Sequence, residues 1–318
     1  MRFQVVCVGE QPSAAVLSRL GTAGVQVAEL SGDQVVDRLA ALDPRGYVMN
    51  SFGPPDGPRV DAALLDLAPS LQLVTYMGAS RELDDYLPYI DPVALRERGI
   101  AFTSTATPDY GVAEAAVGLL HALELNLVHV HVSGKAPGTR AGLYGATLGI
   151  VGMGQLGHRV AELVQPLGMR LVYHSRSRHR DVEERYGAEP LQLPELFAAA
   201  QHVTIHLPNS APNGLIGAVA LNRAEGIMMV NTSSAPALVD PEALLEALRT
   251  GRVRRVAIEG SYQPQHQDAL RALGDGRVLL LPGYTSWDTH RSRMAGWDIV
   301  TDTYTAAAAG GHIPHRLA

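Results

Sequence analysis

The sequence has a single cysteine, Cys7, and therefore cannot form an internal disulfide. Such low cysteine usage is typical of a reducing compartment. Cys7 lies in the apolar run RFQVVCVG, which predicts a buried strand thiol. No apolar run approaches the roughly 20 residues that a helix needs to span a bilayer, and no signal-peptide pattern opens the chain. We therefore expect a cytoplasmic protein without a membrane partner.

Excess positive charge is also missing. The 26 Lys and Arg residues are outnumbered by 32 Asp and Glu residues, and the formal net charge is −6. Because nucleic acids bind through positive charge, we expect no nucleic-acid partner. The sequence also shows no repeats and no long low-complexity linker. With 318 residues, 46% of them hydrophobic, the chain is long enough for two globular domains.

Short apolar runs alternate with helical patterns along the first third of the chain. This alternation predicts a parallel, doubly wound α/β sheet. Strands are expected at 5–8, 25–30, 47–50, 71–77 and 100–104, with helices at 14–20, 60–67 and 92–98. Further strands are expected at 202–207, 228–232, 253–258 and 278–281.

Two helical segments carry further signals. Asp240 is a favourable N-cap residue, and Pro241 is favourable at the first helical position. Gly251 is favourable just after the C-terminus of the same helix. An amphipathic stretch from 108 to about 128 is expected to lead from the first domain into the second.

The stretch TLGIVGMGQLGHRVAELVQPLGMRLVYHSRSR is the most informative part of the sequence. Gly152, Gly154 and Gly157 form G-x-G-x-x-G between a predicted strand and a predicted helix. In this motif the glycines permit a tight turn, approach of a pyrophosphate and close helix packing. The helix begins near Gln155 and Leu156, so its free N–H groups would face the phosphates. The pattern predicts dinucleotide binding.

The end of the second strand of this fold distinguishes NAD from NADP. Here the strand LVYH is followed by Ser175, Arg176, Ser177 and Arg178, and the next carboxylate is Asp181. Arginine binds phosphate through two hydrogen bonds, so this segment favours the 2′-phosphate of NADP. The alternative is a basic, solvated turn, with NAD as the cofactor.

Several motifs together resemble the D-isomer-specific 2-hydroxyacid dehydrogenases, over most of the chain and most strongly at 100–258. They are ALRERGIAFTSTATPDYGVAEAAVGLLHAL, TLGIVGMGQLG, HLPNSAPNGLIG, MMVNTSSAPALVDPEALLEAL and GGHIPHRL. The resemblance implies two Rossmann-like α/β domains with the active site in the cleft between them. Residues 1–100 with 288–318 would form the substrate domain, and 101–287 the dinucleotide-binding domain. It also implies a homodimer, and cofactor contacts from His206, Pro208, Thr232 and Glu259.

The family's catalytic Arg, Glu and His positions are replaced in this sequence. Ser234 stands at the Arg position, Pro264 at the Glu position and Gly283 at the His position. Glu259 replaces an Asp and is a candidate for holding the nicotinamide carboxamide. The resemblance therefore implies a catalytic set different from that of the family.

Four residues are candidates for the catalytic roles, namely Arg81, Ser234, Tyr284 and His290. Arg81 would bind a substrate carboxylate or lie on the surface. His290 would act as an acid–base group or begin a solvated helix.

Other groups are open to two interpretations. Tyr284, Trp287 and Trp297 would line an aromatic wall of the active site or pack in the core. His129 and His131 would share a face of a strand, but a helix is expected there, so no metal site is predicted.

Two functions from different classes remain. The first is an NADP-dependent oxidoreductase acting on a non-standard small-molecule substrate. The second is a catalytically inactive NAD(P)-binding or regulatory protein on the same fold. Nicotinamide-assisted non-redox chemistry is a third possibility.

Overall fold

The computed structural model describes residues 3–9, 11–50, 57–78, 80–106, 110–135, 140–208, 210–233, 235–274, 276–283, 285 and 289–318. The chain forms two compact units. One contains Met1–Pro108 with Asp288–Ala318, and the other contains Asp109–Trp287.

The first unit contains a five-stranded parallel sheet in the order β2-β1-β3-β4-β5. Apolar residues cover both faces of this sheet, as expected for a parallel sheet between helix layers. Its strands are β1 (Phe3–Val8), β2 (Val25–Leu30), β3 (Gly46–Asn50), β4 (Leu73–Met77) and β5 (Ala101–Ser104). Its first helices are α1 (Ala14–Thr22), α2 (Val35–Leu42), α3 (Ala62–Asp66) and α4 (Pro92–Glu97).

The second unit contains a seven-stranded parallel sheet in the order β12-β11-β10-β9-β6-β7-β8. The strands are β6 (Thr147–Val151), β7 (Arg170–His174), β8 (Glu189–Pro190), β9 (His202–Ile205), β10 (Ile227–Asn231), β11 (Val253–Glu259) and β12 (Val278–Leu281). The helices are α5 (Tyr110–Leu125), α6 (Leu127–Ser133), α7 (Gln155–Val164), α8 (Arg180–Tyr186), α9 (Leu193–Ala199), α10 (Ala218–Leu221), α11 (Pro241–Arg249) and α12 (Pro264–Arg271). The strand order reverses between β6 and β9, and ligands of such sheets bind outside the carboxyl ends at this reversal.

The predicted fold class, two doubly wound α/β sheets, is confirmed. The signals around α11 are confirmed as well. Asp240 accepts a hydrogen bond from the Ala243 N–H at 2.7 Å, and Pro241 is the first helical residue. Gly251 follows the helix with a φ of +78°, which glycine adopts without strain.

Within the predicted stretch at 108–128, α5 spans Tyr110–Leu125, and α6 follows after Asn126, whose φ of 48° breaks the helix. Within the described residues, no helix alone is long and apolar enough to cross a bilayer. Gly111–Leu125 and α6, bent by 49°, pass that test only as a pair. His129 and His131 both lie on α6, where residues two apart point in different directions.

The chain then returns to the first unit as α13 (His290–Ala308). Trp297 and Tyr304 on this helix are buried against β1 and β4. The last residues lie along β5, with the Phe102 N–H donating to the Ala318 carbonyl at 2.9 Å. The expected domain boundary after residue 100 differs from the structure, because β5 pairs with β4 and belongs to the first sheet.

Candidate functional site

The three glycines after β6 have different surroundings. A Cβ on Gly152 would lie 2.4 Å from the His206 carbonyl oxygen, and one on Gly157 would lie 2.3 Å from the Gly152 carbonyl oxygen. A Cβ on Gly154 would meet nothing within 4 Å. Gly152 and Gly157 therefore permit close packing inside the protein, whereas Gly154 leaves open space on an exposed surface.

The open surface at Gly154 coincides with the start of α7. Gly154 is the N-cap of α7, and the His158 N–H donates to its carbonyl oxygen at 3.0 Å. The N–H groups of the first helical residues, Gln155, Leu156 and Gly157, precede the first intrahelical hydrogen bond. Together with the positive end of the helix dipole they can bind a diphosphate.

A depression of about 380 Å³ lies at the carboxyl end of β7. None of the nine described residues that line it carries a carboxylate. Ser175 is half-buried there, and Arg176 is exposed. The lining consists of Tyr173, His174, Ser175, Arg176, Ser177, Arg178, Pro190, Leu191 and Gln192.

Arg178 differs from Arg176 because it is held by a carboxylate. Its Nε donates to both oxygens of Glu183, at 2.9 and 3.0 Å, and its Nη2 donates to Oε2 at 2.8 Å. The Tyr173 hydroxyl donates to the same carboxylate at 2.7 Å. Hydrogen bonds from Arg178 and then from Tyr173 hold the pKa of Glu183 below its usual value. The Arg178–Glu183 ion pair was not predicted from the sequence, because only Asp181, the first carboxylate after β7, was considered.

Polar residues gather at the carboxyl edge of the second sheet. In the strand register, Ile205 pairs with both Val151 and Asn231, and Asn231 pairs with Ile258. The next residues along each strand are Gly152, His206, Thr232 and Glu259, so these lie along one edge.

Several buried polar atoms at this edge have no hydrogen-bond partner among the described residues. They are the Asn231 Nδ2, the Thr232 Oγ1 and both ring nitrogens of His206. Burial lowers the pKa of His206 to about 4, so its ring is neutral near pH 7. Glu259 is also buried, and Pro208 is half-buried just beyond β9. Unpartnered buried polar groups beside an open phosphate cradle fit a nicotinamide dinucleotide.

The candidate catalytic residues fall in different places. Arg81 is an exposed loop residue of the first unit, and His290 is the exposed first residue of α13. Ser234 and Tyr284 lie outside the described residues. Pro264 is the first residue of α12, and Gly283 is exposed just after β12.

The aromatic wall proposed from the sequence does not include Trp297. This side chain is only 4% exposed and packs in the core of the first unit with Tyr304. Trp287 and Tyr284 lie outside the described residues.

Comparisons with known proteins agree with this architecture. A family model described as D-isomer specific 2-hydroxyacid dehydrogenase, NAD binding domain, matches residues 126–282. The chain is 33% identical over 276 residues to a glyoxylate reductase from Aeropyrum pernix, covering 81% of this chain and 79% of that protein. It is 26% identical over 330 residues to a glyoxylate reductase from Thermococcus litoralis, covering 96% of each. Its fold is similar to that of the apo D-mandelate dehydrogenase from Rhodotorula graminis, with a TM-score of 0.84, 19% identity, and coverage of 99% of this chain and 98% of that one.

Proposed function

This chain belongs to the D-isomer specific 2-hydroxyacid dehydrogenase family, and from that premise we propose that it is an NADP-dependent oxidoreductase acting on a non-standard substrate. The family supports an oxidoreductase with an NAD(P)-binding Rossmann domain. The preference for NADP, the identity of the catalytic groups and the departure from the usual substrates are our proposal.

The depression at the end of β7 carries the proposal for NADP. NAD-binding folds place an Asp or Glu here, which accepts hydrogen bonds from the ribose and repels a 2′-phosphate. The described lining residues instead offer two serine hydroxyls and two guanidinium groups. Both kinds of group donate hydrogen bonds to phosphate oxygens.

The two arginines contribute unequally to this proposal. Arg176 is exposed at the depression, whereas Arg178 already makes three hydrogen bonds with Glu183. A phosphate that recruited Arg178 would have to compete with that carboxylate. Arg176, with Ser175, is therefore the principal group that would bind the 2′-phosphate.

The proposal of a different catalytic set rests on the residues that align with the family's catalytic Arg, Glu and His. Pro264, at the Glu position, is the first residue of a helix, where proline is favoured and no carboxylate is available. Gly283 has no side chain to donate a proton. Ser234, at the Arg position, can donate one hydrogen bond but carries no positive charge.

The chemistry then requires other side chains. When bound, the nicotinamide supplies the hydride. Arg81 would bind an anionic group of the substrate, and His290 or Tyr284 would exchange the proton with the substrate oxygen, assisted by Ser234. Asn231, Thr232, His206 and Glu259 would orient the nicotinamide end of the cofactor.

A second candidate is a catalytically inactive NAD(P)-binding or regulatory protein. It is favoured by the combination of an open phosphate cradle with replaced catalytic positions. Both candidates require nucleotide binding, and only the first requires turnover. Both also include a small-molecule ligand, a homodimer and a cytoplasmic location, without a nucleic-acid or membrane partner.

Fluorescence titration of the full chain with NADPH and NADH tests the proposed cofactor. We expect tighter binding of NADPH. Arg176→Ala should weaken NADPH binding about ten- to a hundred-fold, because a hydrogen bond to a charged group contributes about 1.5–3 kcal/mol. NADH binding should change little.

Two further variants serve as comparisons. Arg178→Ala should have a smaller effect than Arg176→Ala, since Glu183 already holds Arg178. Arg170→Ala removes an exposed arginine from the opposite end of β7 and should leave NADPH affinity unchanged. Equal affinities for the two nucleotides in the wild type would refute the NADP assignment.

A further inference from the structure

Three metal-ligating side chains meet beside the nucleotide site without a role in the proposed reaction. His158 lies on α7, His179 directly precedes α8, and Asp181 lies in the first turn of α8. One ligand atom from each residue lies within 4.8 Å of the other two. We refer to these three residues as the His–His–Asp cluster.

The two imidazoles have a separation that suits one metal ion. His158 Nε2 and His179 Nδ1 are 3.3 Å apart. Bonds from zinc to imidazole nitrogen are about 2.0–2.1 Å, so two nitrogens at this separation would subtend roughly 104–111° at the ion. This angle is close to the tetrahedral value that zinc prefers.

Outer hydrogen bonds can orient the His179 ring. His179 Nε2 lies 3.3 Å from the Ser175 hydroxyl and 3.4 Å from the Ser177 hydroxyl. When Nε2 donates to either hydroxyl, the lone pair of Nδ1 points toward His158. Metal-binding histidines characteristically donate their second N–H to such a partner.

Asp181 completes the set. One of its carboxylate oxygens lies within 4.8 Å of a ring nitrogen of each histidine. Its Oδ2 is 3.5 Å from His158 Nδ1, the ring nitrogen that is not the proposed ligand, and 71% of the side chain is exposed, so the carboxylate is accessible to an incoming ion.

We infer that the His–His–Asp cluster is a binding site for a divalent transition metal of the zinc class. The ligands would be His158 Nε2, His179 Nδ1 and a carboxylate oxygen of Asp181, with water in the fourth position. Two nitrogen ligands favour zinc, copper or nickel over magnesium and calcium, which prefer oxygen.

This site is separate from the proposed chemistry. Ser175 and Ser177 connect it to the depression at the end of β7, so a bound ion would place positive charge next to that depression. Metal binding can be measured without any nucleotide, so its test does not depend on the proposed cofactor.

Calorimetric titration of the chelator-treated full chain with zinc chloride, near pH 7.5 and without nucleotide, tests the inference. We expect one tight site per chain. His158→Gln, His179→Ala and Asp181→Asn should each weaken binding at least about tenfold, since loss of an outer hydrogen bond alone weakens metal sites ten- to a hundred-fold. Replacing both Ser175 and Ser177 by Ala should weaken binding within that range while all three ligands remain.

His266→Gln is the matched control. His266 Nε2 lies 2.7 Å from a Glu242 carboxylate oxygen and forms another histidine–carboxylate pair. We expect the zinc site to persist in this variant. Circular dichroism should show that each variant is folded, and magnesium should not compete with zinc. Absence of a saturable zinc site in the wild type, or unchanged affinity in folded His158→Gln and His179→Ala variants, would overturn the inference.

Discussion

At the scale of single residues, the glycines of the turn after β6 can be separated by mutation. Gly154→Val should abolish most nucleotide binding and leave the fold intact, because its side chain would enter open space where a phosphate approaches. Gly157→Val should destabilise the protein by about 1–3 kcal/mol or more, because its Cβ would contact the Gly152 carbonyl. Nucleotide titration and thermal unfolding of both variants distinguish the two effects. A folded Gly154→Val variant with wild-type affinity would mean that the phosphates bind elsewhere.

His206 should make the stability of the protein depend on pH. Its pKa is about 4 in the folded state and about 6.5 when exposed, so the unfolded state binds more protons between these values. The contribution of neutral His206 to the free energy of unfolding is therefore fully present above pH 6.5 and decreases as the pH falls toward 4. At pH 5, about 1.5 units below the unfolded-state pKa, the free energy of unfolding should be lower by about 2 kcal/mol, since one pKa unit corresponds to about 1.36 kcal/mol.

Urea unfolding at pH 7 and pH 5 measures this dependence. The wild type should lose more stability between the two pH values than His206→Leu does. His131→Leu, which removes an exposed histidine, should behave as the wild type. Identical pH slopes for the wild type and His206→Leu would show that His206 is not buried in a neutral form.

Sequence reasoning at this scale depended on what lies nearby in the chain. The glycine motif could be recognised because its spacing is local. The engagement of Arg178 by Glu183 could not, because it depends on α8 folding back onto the end of β7. The core position of Trp297 depends on a helix from the end of the chain reaching a sheet from its beginning.

At the scale of elements, strands and helices were predictable where local signals were strong. The predicted strands 25–30 and 278–281 have the observed bounds, and α11 begins at its proline after the predicted cap. Pairing was less predictable. An apolar run at 100–104 indicates a strand but not its sheet, and register with β4 decides that β5 belongs to the first unit.

The C-terminal segment should stabilise the edge of the first sheet. Leu317 N–H donates to the Phe102 carbonyl at 2.8 Å, and Thr103 bridges to Arg316. Truncation after His315 removes these contacts and exposes the edge of β5, so we expect a melting temperature several degrees lower and more aggregation. Thermal unfolding with light scattering measures both. Arg316→Ala keeps the backbone contacts and should change little; a truncated chain that behaves as the wild type would contradict this role.

At the scale of the whole molecule, we expect poor reduction of ordinary 2-oxoacids. We propose that Ser234, Pro264 and Gly283 stand at the family's catalytic positions, and on that assignment both the carboxylate-binding arginine and the usual proton donor are replaced. General acid catalysis contributes about 10²–10⁴-fold, and loss of a stabilising donor has a similar effect. Glyoxylate, hydroxypyruvate and pyruvate should therefore be very poor substrates with NADPH or NADH.

Steady-state assays following nicotinamide absorbance test this expectation. A kcat/KM at or above about 10⁴ M⁻¹s⁻¹, within the range of working enzymes, would show that the catalytic positions are assigned wrongly. His290 and Arg81 would then be mutated first. Slow but measurable turnover that Arg81→Ala abolishes would support the oxidoreductase over the inactive nucleotide-binding protein.

The return of α13 to the first unit has a consequence for protein synthesis. Tyr304, whose hydroxyl donates to the Tyr47 carbonyl at 3.0 Å, and Trp297 complete a hydrophobic core begun by the first strand. Ribosomes add about 5–20 residues per second, so translation of the intervening Asp109–Trp287 takes roughly 10–40 s. Throughout that interval the apolar face of the nascent first sheet would be covered only in part, by Val16 and Leu20 of α1, while the contiguous second unit can already fold. Chaperones that bind emerging chains would therefore contact residues of β1 and β4 rather than those of the nucleotide-binding unit.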